Sequence, residues 1–358
     1  VKVRQIPDLK RFLPIVCPPE GPPAAVRSML PVRTFSTIFF TARKNLIWLL
    51  IAVYTLAALV PGPGDWLREL PVGDLPFTSS PMSVTHLLLG LLLFCVGISI
   101  RPAEMRSLWN WSRSVSRGLA GAWLVPMIGL AAMLTVGCFG PEGRAWHAFL
   151  IGATLVASMP PANSSSVWSE ISGGHVATTV AIIVVGTLAS PVVSPAVMWV
   201  FSLASGPIVV ETPEMFAMLE VLVAFVVLPT ALGMGIRTLC ESTSWGRLPE
   251  LLATSRIASL IALLLLNYTN ASVASPQLAT DAAPLGALTV SLLSLLYCGV
   301  VFAVSQVAGL WIEGGDQRRR AAFTYVASMK NTGAALQLAA TLLADEPLAI
   351  LVPVFYTI

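Results

Sequence analysis

Hydrophobic residues occupy long stretches of this chain, and short polar or charged stretches separate them. Most stretches approach the length of about 20 residues with which an α-helix crosses the apolar part of a bilayer. The pattern predicts about ten transmembrane helices, some shortened by polar breaks, at residues 45–60, 84–100, 118–137, 147–170, 176–202, 215–236, 256–273, 283–312, 321–343 and from 347 onward. We expect the tenth helix to be cut short at Ile358.

The charges between these segments predict the orientation of the helices. Arginines are concentrated in the loops that a cytoplasmic N-terminus would place inside, namely Arg101, Arg106, Arg113, Arg117, Arg237, Arg247, Arg256, Arg318, Arg319 and Arg320. Carboxylates are concentrated in the opposite loops, namely Asp65, Glu69, Asp74, Glu142, Glu211, Glu214, Asp281, Asp345 and Glu346. This distribution follows the positive-inside rule. It predicts a multi-pass protein of the inner (plasma) membrane with a cytoplasmic N-terminus.

The segments divide the chain into a basic N-terminal extension, residues 1–44, and a transmembrane domain, residues 45–358. Within the domain, residues 45–202 and 215–358 each hold five segments. Because five is odd, the second half enters the membrane from the opposite side. The expected fold is therefore an all-α polytopic membrane protein built as a five-plus-five inverted repeat.

Two segments carry breaks at matching positions. The tetrapeptide Val-Ala-Ser-Met occurs at 156–159 and again at 326–329. Pro160 and Pro161 follow the first copy, and prolines open the helical hydrogen-bond ladder. Lys330, Asn331, Thr332 and Gly333 follow the second copy, and we expect Asn331 and Gly333 to unwind the helix there. Paired broken helices that cross near the midplane are typical of secondary transporters.

Lys330 is the candidate with the strongest chemistry, because an ammonium in the middle of a membrane span is costly and must face a cavity or a partner. It can act as an internal counter-ion, as a proton-linked switch since burial favours the neutral amine, or as a structural pin held by carbonyls. The other expected members of the crossing site are Asn163, Ser164, Ser165, Ser166, Thr179, Asn331 and Thr332. The polar residues after Pro161 are also expected to cap a second half-helix.

Composition narrows the function. The chain is 56% hydrophobic and 11% charged, with a mean hydropathy of +0.80, whereas soluble domains carry about 25% charged residues. Its net charge of +3 gives no sign of nucleic-acid binding. The scattered cysteines predict neither a metal site nor a disulfide framework, and no cofactor is expected. No Ser-His, paired-Asp or HExxH arrangement lies at membrane depth, so an enzyme is not expected.

Two further sets of polar residues have simpler interpretations. Asn267 and Asn270 lie within the seventh segment, where they are expected to hydrogen-bond between helices, with contact to a substrate as the alternative. His86 lies near the outer end of the second segment, where an interfacial position is expected.

Several motifs, in order and spacing, resemble the bile acid:sodium symporter family, over roughly residues 45–358. They are the Leu-rich run at 88–101, Pro126, the broken fourth segment, Gly-Gly-His-Val-Ala at 173–177, Leu-Pro-Thr-Ala-Leu-Gly-Met at 228–234 and Met-Lys-Asn-Thr-Gly at 329–333. The resemblance implies ten helices in a panel and a core domain, with two discontinuous helices crossing in the core. It also implies sodium-coupled uptake of organic anions.

The chain departs from this family at the positions that the resemblance assigns to sodium. Ser165 and Ser166 replace a Ser-Asn pair, Val326 stands where a glutamate is expected, and Lys330 stands where a glutamine is expected. Thr179 retains one hydroxyl of the fifth segment, whereas Ile183 replaces another. A hard cation requires oxygen ligands and is repelled by a nearby ammonium. The departures predict that sodium does not bind.

The sequence thus predicts a secondary transporter that moves a small or amphipathic organic anion across the bilayer by alternating access, independently of sodium and with protons as a candidate coupling ion. The alternative is a membrane sensor or receptor that kept the transporter fold. In that case the basic extension would contact a cytoplasmic partner, and its deletion would abolish signalling.

Overall fold

The computed structural model describes residues 45–74, 81–100, 113–137, 143–205, 212–279, 284–343 and 346–357. The N-terminal extension and parts of several charged loops lie outside the described residues. The apolar segments form helices α1 to α7 at Leu46–Leu59, Gly62–Glu69, Val84–Ser99, Arg113–Gly137, Arg144–Ser158, Ser164–Ile171 and Val176–Ser205. Helices α8 to α14 follow at Thr212–Leu222, Leu228–Ser242, Leu248–Ala279, Pro284–Glu313, Gln317–Ser328, Thr332–Leu342 and Pro347–Thr357.

One element departs from the all-α expectation. Strands β1, Pro71–Asp74, and β2, Pro81–Ser83, form a short antiparallel pair between α2 and α3. The strands are four and three residues long, which is too short for alternating hydrophobic and polar positions to predict a strand.

Five helical stretches within the described residues are long and apolar enough to cross a membrane, namely Arg113–Thr135, Val176–Phe201, Met215–Ser242, Leu248–Ser272 and Leu285–Glu313. The pair α1 and α2, bent by 90°, supplies a sixth if it is counted as one span. Both broken segments consist of helices too short to qualify singly. The protein is therefore a polytopic helical membrane protein, and its ten crossings stay a prediction.

A π-helical stretch, Val223–Val227, joins α8 to α9 into one continuous helix. Pro229 lies at the start of α9 and has no N–H to donate to the preceding turn. The ladder therefore widens locally instead of breaking.

The helices pack into two groups, which we name bundle A and bundle B. Bundle A comprises α1, α3, α9 and α10, and bundle B comprises α4 to α7 and α11 to α14. The groups meet where α13 contacts α3 and α10, and where α10 contacts α11 and α14. The largest apolar cluster extends through both groups and includes the fully buried Leu89 of α3 and Ala335 of α13.

Small residues and interhelical hydrogen bonds hold bundle A together. A Cβ added to Gly233 of α9 would overlap the carbonyl oxygen of Phe94 in α3, so the two backbones are in direct contact. The hydroxyl of Tyr54 in α1 donates to Asn267 Oδ1 in α10 at 2.8 Å. This bond confirms the predicted interhelical role of Asn267. Small residues at helix contacts and interhelical hydrogen bonds are both common in membranes, where the hydrophobic effect does not drive helices together.

Candidate functional site

Both predicted breaks are present. Helix α5 ends at Ser158, and Met159 leaves the helical region with φ −67° and ψ 153°, because the following Pro160 disfavours a helical residue before it. Helix α12 likewise ends at Ser328, where Met329 is extended with φ −94° and ψ 119°. The two Val-Ala-Ser-Met copies therefore each end a helix inside the protein.

The two extended segments lie side by side. The amide of Ala162 donates to the carbonyl oxygen of Met329 at 2.9 Å, and the amide of Asn331 donates to that of Pro160 at 2.9 Å. Pro161 and Lys330 thereby face each other as an antiparallel pair. Backbone groups released by one break are satisfied by the other, as apolar surroundings require.

Side chains satisfy the carbonyls at the ends of the two first half-helices. The Ser158 carbonyl accepts hydrogen bonds from Trp123 Nε1 at 2.9 Å and from the Ser194 hydroxyl at 2.7 Å. The matching Ser328 carbonyl accepts one from the Tyr356 hydroxyl at 2.6 Å. Both breaks are thus fixed from outside by neighbouring helices.

The Lys330 ammonium bridges the crossing to α4. Its Nζ donates to the carbonyl oxygens of Ala122 and of Met159, the latter at 2.8 Å. In an α-helix the Ala122 carbonyl would accept from the amide four residues later, but that residue is Pro126, which has none. Lys330 therefore supplies donors to one carbonyl that Pro126 leaves open and to another at the break that follows α5.

The charge environment of Lys330 contains no recorded carboxylate partner among the described residues. The side chain is 3% exposed, and its Nζ lies 5.8 Å from the centre of the Trp123 ring. The carbonyl end of α5, at Met159, and the ring face both attract a cation. The ammonium is therefore stabilised by the carbonyl dipoles and the ring face and not by a countercharge, so the net positive charge of the site remains.

The residues beside Lys330 have definite local roles. Asn331 caps α13, since its Oδ1 accepts from the Ala334 amide at 3.2 Å. Thr332 begins α13, and its amide bonds back to the Lys330 carbonyl at 2.8 Å. The expectation for Gly333 was wrong: Gly333 lies inside α13, and the break is confined to 329–331. The capping bond of Asn331 starts the helix one residue before Gly333.

The polar run after Pro161 is only partly a cap. Asn163 precedes α6 with helical torsions and its side chain makes no capping bond, so the predicted capping role was wrong for this residue. The Ser166 hydroxyl donates to the Asn163 carbonyl at 2.8 Å, and Ser165 donates to the Tyr325 carbonyl at 3.2 Å. Ser164 is half-buried at the start of α6.

Thr179 is buried, but its hydroxyl bonds are with Ser169 Oγ at 3.0 Å and the His175 carbonyl at 3.3 Å. It joins α7 to α6 and has no recorded bond to Lys330. Val326 is fully buried in an apolar cluster with Trp123 and Ile182. The position that the family resemblance assigns to a carboxylate is therefore enclosed by hydrocarbon.

Sequence reasoning missed three buried polar residues. His86, expected at the interface, is 2% exposed and contacts Gln337, which is also 2% exposed. Glu220 of α8 is 6% exposed. Gln337 lies seven residues after Lys330, but the break at 329–331 separates them, so helical spacing gave no signal for it. Nothing in the sequence pairs it with His86.

Comparison with protein-family models gives one match. Residues 86–280, more than half of the chain, match the model described as the Sodium Bile acid symporter family. The matched range includes Pro126 and the first break and ends before the second. No curated protein matches the chain.

Proposed function

Because this chain belongs to the Sodium Bile acid symporter family, we propose that it is a sodium-independent secondary transporter of a small or amphipathic organic anion. Membership supports the coarser statement that it is a membrane transporter of the bile acid symporter kind and not an enzyme. The substrate class, the loss of sodium and the role of Lys330 are the parts that we propose.

Sodium independence rests on one observation, the ammonium of Lys330 at the crossing with its two carbonyl acceptors. Sodium is held by oxygen atoms, and those two carbonyl oxygens already accept from Nζ. A second positive charge beside a buried ammonium is repelled strongly where few dipoles can screen it. Lys330 thus takes the electrostatic place of a bound cation.

An anionic substrate fits the same region. Helices α6 and α13 both begin at the crossing, at Ser164 and Thr332, and helix N-termini carry partial positive charge. Together with Lys330 they favour a carboxylate or sulfonate. We assign Asn163, Ser164, Ser165, Ser166, Asn331 and Thr332 to this site, with Thr179 supporting α6 from behind.

Movement of bundle A against bundle B gives alternating access. The crossing lies within bundle B, and its surface facing bundle A is reached when the contacts of α13 with α3 and α10 part. During this cycle Lys330 acts in one of two ways. It releases and rebinds a proton, or it stays protonated as a fixed counter-ion. We propose an inner-membrane location with the N-terminus in the cytoplasm.

The test is a sodium titration of the purified protein at constant ionic strength, with thermal unfolding as the readout. A bound ion raises the unfolding midpoint by mass action, so the expected result is no shift when sodium replaces choline. A specific, saturable shift would contradict sodium independence.

A second measurement addresses Lys330. Lys330→Met and Lys330→Arg are compared with the wild type for uptake of a panel of organic anions into proteoliposomes at several pH values. We expect Lys330→Met to lose uptake while it remains monodisperse and helical. Full uptake by Lys330→Met would exclude a transport role for the ammonium.

A further inference from the structure

A layer of three buried polar side chains lies between the two bundles, apart from the crossing. His86 belongs to α3, Asn270 to α10 and Gln337 to α13. Each is 2% exposed. Gln337 Nε2 lies 3.1 Å from both ring nitrogens of His86, so the contact directly connects bundle A with bundle B.

Helix geometry places Asn270 in the same layer. A Cβ added to Gly333 would lie 3.2 Å from Leu266 Cδ2 and 3.8 Å from Leu89 Cδ1, so α13, α10 and α3 meet at one level. Residues three or four apart share a helix face. His86, Asn270 and Gln337 are each about one helical turn from that level, and we infer that Asn270 lies on the same side of it as the His86–Gln337 contact.

The layer has unused donor capacity. The Nδ2 of Asn270 has no hydrogen-bond partner among the described residues although it is buried. A buried donor without a partner is destabilising, so a ligand that accepts from it would be favoured. The amide of Ser83 donates to His86 Nδ1 at 3.1 Å, which leaves the proton of the neutral imidazole on Nε2. The layer therefore presents the donors of Asn270 and His86 together with the acceptor oxygen of Gln337, a combination that fits a carboxylate or a hydroxyl group.

We propose that His86, Asn270 and Gln337 line the path of the organic anion between the bundles and contact its charged or hydroxyl group one layer before the crossing. This proposal rests on the proposed function. The His86–Gln337 contact parts when the bundles separate, and the substrate then takes the place of each partner. Phe225, whose ring centre lies 5.0 Å from that of His86, gives an adjacent apolar surface for the rest of the substrate.

The test is chemical modification of cysteines placed in the layer. Asn270→Cys is made in the full chain after the five native cysteines are replaced by alanine. Two methanethiosulfonates of similar size are used as probes, one carrying a sulfonate and the other a trimethylammonium group. Each rate is divided by the rate of the same reagent with free mercaptoethanol. The matched control is Ile261→Cys on the same helix, where the native side chain is 52% exposed and is expected to face lipid.

We expect Asn270→Cys to react and to favour the anionic reagent by about tenfold after this normalisation, because an electropositive path concentrates anions. The control should react with neither reagent. Failure of Asn270→Cys to react, or reaction without a preference for the sulfonate, would overturn the proposal. His86→Cys is the second variant and decides the question if Asn270→Cys does not fold.

The outcomes separate this proposal from the proposed function. Unreactive cysteines in a protein that transports without sodium would overturn only the path through this layer. Sulfonate-selective labelling in a protein that sodium stabilises would support the path and overturn only sodium independence.

Discussion

The link between Lys330 and Pro126 yields the sharpest energetic prediction. Lys330→Met keeps an unbranched side chain that is one atom shorter, and it leaves the Ala122 and Met159 carbonyls without their donor. Each orphaned carbonyl costs about 1–3 kcal/mol, while removal of a buried ammonium returns about 2.5–3.5 kcal/mol on insertion scales. These terms partly cancel, so we expect a net loss of no more than about 3.5 kcal/mol.

Pro126→Ala changes that balance, because residue 126 then has an amide that donates to the Ala122 carbonyl within α4. Lys330→Met should therefore cost less in the Pro126→Ala background than in the wild type. One carbonyl is satisfied again, so the expected coupling between the two substitutions is about 1–3 kcal/mol.

The assay is a double-mutant cycle on unfolding midpoints, all measured in one detergent at one heating rate. At roughly 2–4 °C per kcal/mol, the coupling is a shift of several degrees. Pro195→Ala is the control, since Pro195 also lies inside a helix, α7, and has no recorded contact with Lys330 in the described residues. We expect its coupling to Lys330→Met to stay within about 0.5 kcal/mol. Equal couplings for the two prolines would refute the reasoning.

Two other substitutions test the packing around the site. Gly233→Ala should destabilise the protein by about 1–3 kcal/mol, because its Cβ would overlap the Phe94 carbonyl. Gly235→Ala on the same helix has no atom within 4 Å of its Cβ and should raise the unfolding midpoint slightly. Similar losses in the two variants would contradict the close approach of α3 and α9. Tyr356→Phe should lower the free energy of unfolding by about 1 kcal/mol, and hence the midpoint, because the Ser328 carbonyl loses its 2.6 Å hydrogen bond. An unchanged midpoint would show that this bond does not stabilise the second break.

Most helical segments, both breaks and the need to bury Lys330 among polar partners were predictable from the sequence alone. These are local properties: a run of apolar residues requires a buried or lipid-facing helix, a proline removes its own amide wherever it lies, and a lysine at membrane depth always needs compensation. The family resemblance followed from the same local motifs, and the match over 86–280 confirmed it.

The tertiary fold established which groups contact one another. In this fold Lys330 donates to the Ala122 carbonyl, which has no helical donor because residue 126 is a proline. Thr179 bonds to Ser169 instead of lying at the crossing, and His86 contacts Gln337, which is 251 positions away in the sequence. Such contacts depend on which helix faces pack together and on how closely small residues let them approach. The packing of helix faces depends on the sum of many weak contacts, so it cannot be inferred from any individual residue of a single sequence.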